Sequence, residues 1–142
     1  MTRGKILFLE EGKVYCTTEF NGDMYPEGHG DEIIAWFEEG FFSCYAKYER
    51  FVYRFNKRNF GYEEPLISLY ESKENMIDVR KNWTDYLYII NKSEVEWRIV
   101  DKKENPIVIP DKSLTIVYFQ EVEQIISESE NDTEPNTPGK FV

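Results

Sequence analysis

The segment Tyr25-Pro26-Glu27-Gly28-His29-Gly30-Asp31-Glu32 concentrates the groups from which chemistry is made. His29 is the only histidine in the chain, and Asp23, Glu27, Asp31 and Glu32 surround it. Carboxylates at that density are ligands for Ca²⁺ or Mg²⁺, and an imidazole beside a carboxylate is a ligand for Zn²⁺. The spacing is nevertheless that of neither a calcium-binding helix–loop–helix nor a His-x-x-x-His pair, and Cys16 and Cys44 make no Cys-x-x-Cys. No metal and no cofactor is expected. Serine or cysteine catalysis would have to use His29 as its base, with Cys16 on the preceding strand as the nearest nucleophile. A buried strand cysteine explains Cys16 more simply. Thr2 would become an N-terminal nucleophile on removal of Met1, although threonine at that position needs no such reason. Gly22, Gly28 and Gly30 do not match a phosphate-binding fingerprint, and carboxylates at a helix start disfavour an anion there. No catalytic residue is assigned.

A strand-to-helix corner uses most of this segment. Asn21-Gly22 suits a turn with positive φ, and Pro26 holds Tyr25 extended. Gly28 and Gly30, with positive φ, let the chain fold back before Asp31 caps a helix. Tyr25 and His29 exceed what such a corner requires. They are the candidate ligand- or partner-binding residues, with Arg50 and Arg54 to receive an anion and Tyr53 as an aromatic anchor. Trp36 is a further anchor to test.

The elements that position these residues follow from periodicity. Lys5–Leu9 and Lys13–Phe20 are apolar runs around Glu11-Gly12, which predicts a tight hairpin. On its second strand Val14, Cys16 and Thr18 share one face and Tyr15, Thr17 and Glu19 the other. Ile33, Ile34 and Phe37 have helical spacing, and Gly40 ends that helix as its C′ residue. Cys44, Tyr45, Tyr48, Phe51, Val52 and Phe55 predict an amphipathic helix over 43–58, against the strand preference of its aromatic residues. Its solvent side carries Lys47, Arg50, Arg54 and Lys57. Leu66–Ser72, Asp85–Asn91, Glu94–Asp101, Pro106–Asp111 and Leu114–Val122 predict five strands in antiparallel meanders, because short connections exclude parallel neighbours. Val95, Trp97 and Ile99 are expected to face inward, and Pro106 and Pro110 place their strand at an edge.

The 142 residues fit one domain, with 41% hydrophobic and 16% aromatic residues for its core. The expectation is a single α+β domain over 1–126, mainly antiparallel sheet with one or two helices, followed by a disordered acidic tail over 127–142. No run reaches the length of a membrane span, the N-terminus lacks the apolar core of a signal peptide, and two cysteines make no disulfide framework. A cytoplasmic location is expected, without membrane contact. Seventeen basic against 27 acidic residues give a net charge of −10, which disfavours nucleic acid as a partner. Lys47 to Arg58 runs against that trend, so charge is distributed asymmetrically.

Thr2-Arg3-Gly4, together with Phe20, Asn21, Gly22, Tyr25, Pro26, Gly28 and Gly30, resembles the start of a family of small, mostly phage-encoded proteins. That family has a Gly-Thr-Arg-like beginning and a Trp-Asp-Gly-Tyr-Pro-x-Gly-x-Gly motif before a helix. Here Phe20 replaces the tryptophan and Asp23-Met24 precedes Tyr25, and the similarity ends near Gly40. The family is biochemically uncharacterised, so the resemblance implies a phage context and no activity. Small size, acidity and abundant aromatics then lead to an accessory protein that binds and inhibits a host protein, such as a defence factor. The alternative expectation is a protein that binds or hydrolyses a nucleotide-like small molecule at the Tyr25–His29 loop.

Overall fold

The computed structural model describes residues 1–80, 84–100 and 106–119, and the backbone of 123–129. β1 (Arg3–Glu10) and β2 (Lys13–Thr17) pair antiparallel from Glu10↔Lys13 to Leu7↔Cys16. Glu11 (φ +37°) and Gly12 (φ +77°) both take the left-handed conformation between them. Two such residues give the turn whose twist matches that of the flanking strands, as the sequence predicts.

The opposite side of β1 pairs with β6 (Tyr86–Asn91), and this pairing is parallel, from Gly4↔Tyr86 to Leu9↔Asn91. β9 (Ser113–Tyr118) and β10 (Glu123–Ser129) extend the sheet beyond β6, and β4 (Ile67–Glu71) extends it beyond β2. The short β3 (Phe20–Asn21) pairs with the start of β1 to complete seven strands. β5 (Met76–Asp78), β7 (Trp97–Val100) and β8 (Ile107–Ile109) form a second, three-stranded sheet, with β5 and β7 parallel. α1 (Gly30–Glu38) and α2 (Tyr45–Asn59) complete a single α+β domain.

Three layers result, because each strand at the centre of the large sheet is apolar on both faces. Ile6, Phe8, Tyr88, Ile90, Leu114 and Ile116 pack with Ile33 and Phe37 of α1 and Phe51 and Phe55 of α2. Leu7, Leu9, Leu87, Ile89 and Val117 pack with Trp97, Ile99 and Ile109 of the small sheet. A central strand buried on both faces shows a continuous apolar run instead of alternation.

That arrangement corrects the expected meander. β6 and β7 are neighbours in sequence but lie in different sheets, so the chain crosses between layers where an in-plane reversal was expected. Asn91, fully buried, fixes the crossing: its Nδ2 donates to the carbonyls of Val95 (3.1 Å) and Pro110 (2.8 Å), and Ser93 N–H donates to its Oδ1. Trp97 and Ile99 face inward as expected, whereas Val95 lies in this crossing and is 46% exposed. Among the described residues β8 pairs only with β7 and is an edge strand, in line with its flanking prolines. β10 continues to Ser129, past the boundary read at Ile126, and the rest of the expected tail, 130–142, lies outside the described residues.

The stretch whose aromatic content favoured strand is helix α2, with Tyr48, Phe51, Val52 and Phe55 buried. Tyr48 donates its hydroxyl proton to the Ile6 carbonyl at 2.6 Å, and its ring stacks on Phe8 at 5.0 Å. Burial pushes the Tyr48 and Tyr88 phenols well above their ordinary value, and burial with the neighbouring Glu49 carboxylate pushes Tyr45 up to about 12. A raised phenol pKa favours the neutral folded form. Its stabilisation is complete below the unfolded value of about 10 and is lost as pH rises through the folded value. Urea unfolding followed by circular dichroism should therefore show stability falling above about pH 10. In Tyr48→Phe that alkaline decline should be shallower, while stability at neutral pH drops by about 1 kcal/mol because the Ile6 carbonyl loses its donor.

Candidate functional site

The Tyr25–His29 loop is built as a tight corner. Gly22 (φ +147°) and Asp23 (φ +53°) turn the chain, and the Thr2 carbonyl accepts the Gly22 and Met24 N–H groups at 3.0 and 3.2 Å. The Tyr25 carbonyl accepts N–H from Gly28 (2.9 Å) and Gly30 (3.2 Å), and the Asp23 carbonyl accepts N–H from His29 (2.7 Å). Beneath the loop, the Tyr88 hydroxyl donates to the Met24 carbonyl. Neither Gly28 nor Gly30 has positive φ, contrary to expectation. They are needed for closeness: a Cβ on Gly28 would overlap the Asp23 carbonyl, and one on Gly30 would overlap the Tyr88 hydroxyl.

His29, not Asp31, is the N-cap residue of α1, and Asp31 and Glu32 lie in the first turn, where carboxylates favour the positive end of the helix. The His29 ring meets Phe55 edge-on at 5.8 Å and Phe60 at 5.3 Å. The imidazole therefore has a packing role that the sequence did not disclose. Among the described residues no three His, Cys, Asp or Glu side chains are grouped as a metal site. Cys16 lies with Leu7 and Val14 on the face of the large sheet opposite the helices, which separates it from His29. Burial also raises the pKa of its thiol.

Arg50 and Arg54 occupy a different place. α1 ends in a Schellman motif: Gly40 (φ +78°) donates to Phe37 C=O at 2.9 Å and Phe41 donates to Trp36 C=O at 3.0 Å. The motif's apolar contact is the Trp36–Phe41 pair, with ring centroids 5.1 Å apart, and Trp36 also touches Phe51 of α2 at 5.1 Å. Lys47, Arg50 and Arg54 run along α2 at helical spacing beside these rings. The five side chains Trp36, Phe41, Lys47, Arg50 and Arg54 line a cleft of about 220 Å³. All three cations are exposed, and none has a carboxylate within ion-pair distance among the described residues. Arg58, one turn further on, does pair, with Glu32.

The predicted site residues thus divide. Arg50 and Arg54 come together with Trp36. Tyr53 packs partly against the core, and Tyr25 and His29 build the corner at the opposite end of α1, outside the cleft lining. Phe41 was not singled out, and Lys47 was read only as part of the basic helix face, although a glycine C′ followed by an aromatic residue is a recognisable signal for the Trp36–Phe41 pair. A second concavity, of about 370 Å³, lies between the two sheets and is lined by Lys5, Cys16, Thr84 and apolar neighbours including Leu7 and Ile77. Thr84 is fully buried and its hydroxyl has no hydrogen-bond partner among the described residues.

A scan against protein-family models and searches of curated proteins and of solved structures find none that matches the chain.

Two residues of the corner are held by different contacts. Gly30→Ala should lower stability by about 1–3 kcal/mol through overpacking against Tyr88. His29→Ala should cost about 1–3 kcal/mol, from about 0.5–1.5 kcal/mol for each of its two ring contacts. Thermal unfolding of the two variants checks both losses, and a Gly30→Ala or His29→Ala variant as stable as the wild type would contradict the packing assigned to the corner.

Proposed function

We propose that the protein is a non-catalytic accessory protein that binds a host protein by taking an acidic segment of it into the Trp36–Phe41–Lys47–Arg50–Arg54 cleft, and inhibits it. The observation that carries this reading is a cationic stripe, unpaired among the described residues, beside two aromatic rings on a chain of net charge −10. Arg50 and Arg54 are four residues apart on one helix face, where like charges repel by about 0.2–0.5 kcal/mol. Arginine guanidinium groups bind carboxylates with paired hydrogen bonds, and Trp36 and Phe41 offer apolar contact to neighbouring side chains. The remaining acidic surface repels long polyanions, which favours a short acidic segment over nucleic acid. The resemblance of the N-terminal segment supplies the phage context, in which a host protein such as a defence factor is the natural target.

A second reading, binding of a small molecule, is favoured by the inter-sheet cavity. Its volume falls in the range of ligand sites, and Lys5 and Cys16 bring polar groups to its apolar lining. A nucleotide-like ligand at the Tyr25–His29 loop has less support, since that loop is filled by its own packing.

Affinity capture from a bacterial host lysate tests the first reading, comparing the wild-type chain with an Arg50→Ser/Arg54→Ser variant. A specific partner should be retained by the wild type at low salt and released as salt rises. The double variant should bind it at least about tenfold more weakly. Identical capture by both proteins would remove the basis of the proposal.

A further inference from the structure

β4 ends the large sheet, with β2 as its one strand neighbour among the described residues. The direction of its backbone groups follows from the bonds that bracket the pairing. Thr18 N–H donates to Leu66 C=O at one end, and Ser72 N–H donates to Gly12 C=O at the other. Bonded pairs recur at every second residue of an antiparallel ladder. Ser68 and Tyr70 therefore also point toward β2, and the N–H and C=O groups of Ile67, Leu69 and Glu71 point away from it. The hairpin agrees: its turn closes at Glu10↔Lys13, so odd positions of β2 face β1 and even positions face β4.

Among the described residues this edge lacks the usual protection. Ile67–Glu71 contains no lysine, proline or bulge, and its single charge is Glu71. Leu69 is 52% and Tyr70 57% exposed.

We propose that β4 pairs antiparallel with β4 of a second copy of this chain, centred on Leu69, to form a two-fold symmetric dimer with one continuous sheet. The occupant is argued from self-complementarity. Leu69 stands opposite Leu69 of the second copy, Ile67 opposite Glu71 and Glu71 opposite Ile67. All three outward-pointing positions thus meet outward-pointing positions. No like charges face each other directly, and the leucines pack against one another. Leu69 lies on the helix side of the sheet, because its register partner Tyr15 packs on Tyr45 of α2 at 4.2 Å. A dyad perpendicular to the sheet keeps both helix layers on one side. The two basic clefts then face the same way and engage a repeated or oligomeric target with avidity.

Each copy carries net charge −10, so salt that screens their mutual repulsion strengthens the dimer. This is opposite to the salt response of an acidic segment in the cleft, so the two ideas fail separately. Sedimentation equilibrium of the full chain tests the proposal over a wide concentration range at low and high salt. The expected mass approaches twice 17.0 kDa at high concentration, and sooner at high salt. Leu69→Lys places two ammonium groups opposite each other and should raise the dissociation constant about tenfold or more. Leu69→Pro deletes an N–H that does not serve β2, so it should remain folded and monomeric. A wild-type chain that stays monomeric throughout, or Leu69→Lys associating as the wild type does, overturns the proposal.

Discussion

β1 is enclosed on every side, and the rest of the molecule is arranged around that enclosure. Ile6, Phe8 and Leu9 are completely buried and Leu7 is 3% exposed, while hydrogen bonds run to β2 on one edge and to β6 on the other. Fully burying such side chains contributes about 1.5–3 kcal/mol each. Neither a helix pair nor a second sheet can cover both faces alone, so both are present. Tyr48 joins the helix layer to this strand by bonding the Ile6 carbonyl and stacking on Phe8. That anchor sets the rotation of α2, and the rotation directs Lys47, Arg50 and Arg54 outward. The cationic stripe is thus a consequence of which α2 face the strand demands.

Local features were legible where one residue type has one strong reason to be there. Gly12 in the hairpin turn, Gly40 at the end of α1 and the apolar spacing of Tyr48, Phe51, Val52 and Phe55 each identify their element without reference to the rest of the chain. Pairing between distant strands was not legible. Tyr86–Asn91 is apolar on both faces, so its sequence contains no alternation to say which neighbour lies on which side. The parallel β1–β6 match joins Gly4 to Tyr86 and Leu9 to Asn91, with both helices and four strands between them in the chain. β3 (Phe20–Asn21) and β5 (Met76–Asp78) are too short to carry a period.

The candidate site shows the same division. Arg50 and Arg54 were readable because a basic run stands out in an acidic chain. His29 was misleading, because a lone imidazole among carboxylates suggests a ligand or a base. Its two aromatic neighbours, Phe55 and Phe60, come from the far end of α2, distant from the loop in sequence. Gly28 and Gly30 are glycines because Asp23 and Tyr88 approach them, a reason visible only in three dimensions.

A stripe kept for binding differs from one kept for stability. In a binding stripe the repulsion between Arg50 and Arg54 opposes folding and is offset only when a partner is bound. The stability of Arg50→Glu at low salt, from urea unfolding, separates the two cases. Glutamate four residues before Arg54 converts a repulsive pair into an attractive one, so the account predicts a gain of about 0.5–1 kcal/mol. A loss of stability would contradict it, because Arg50 would then be holding the fold together and the cleft would have no claim to a partner.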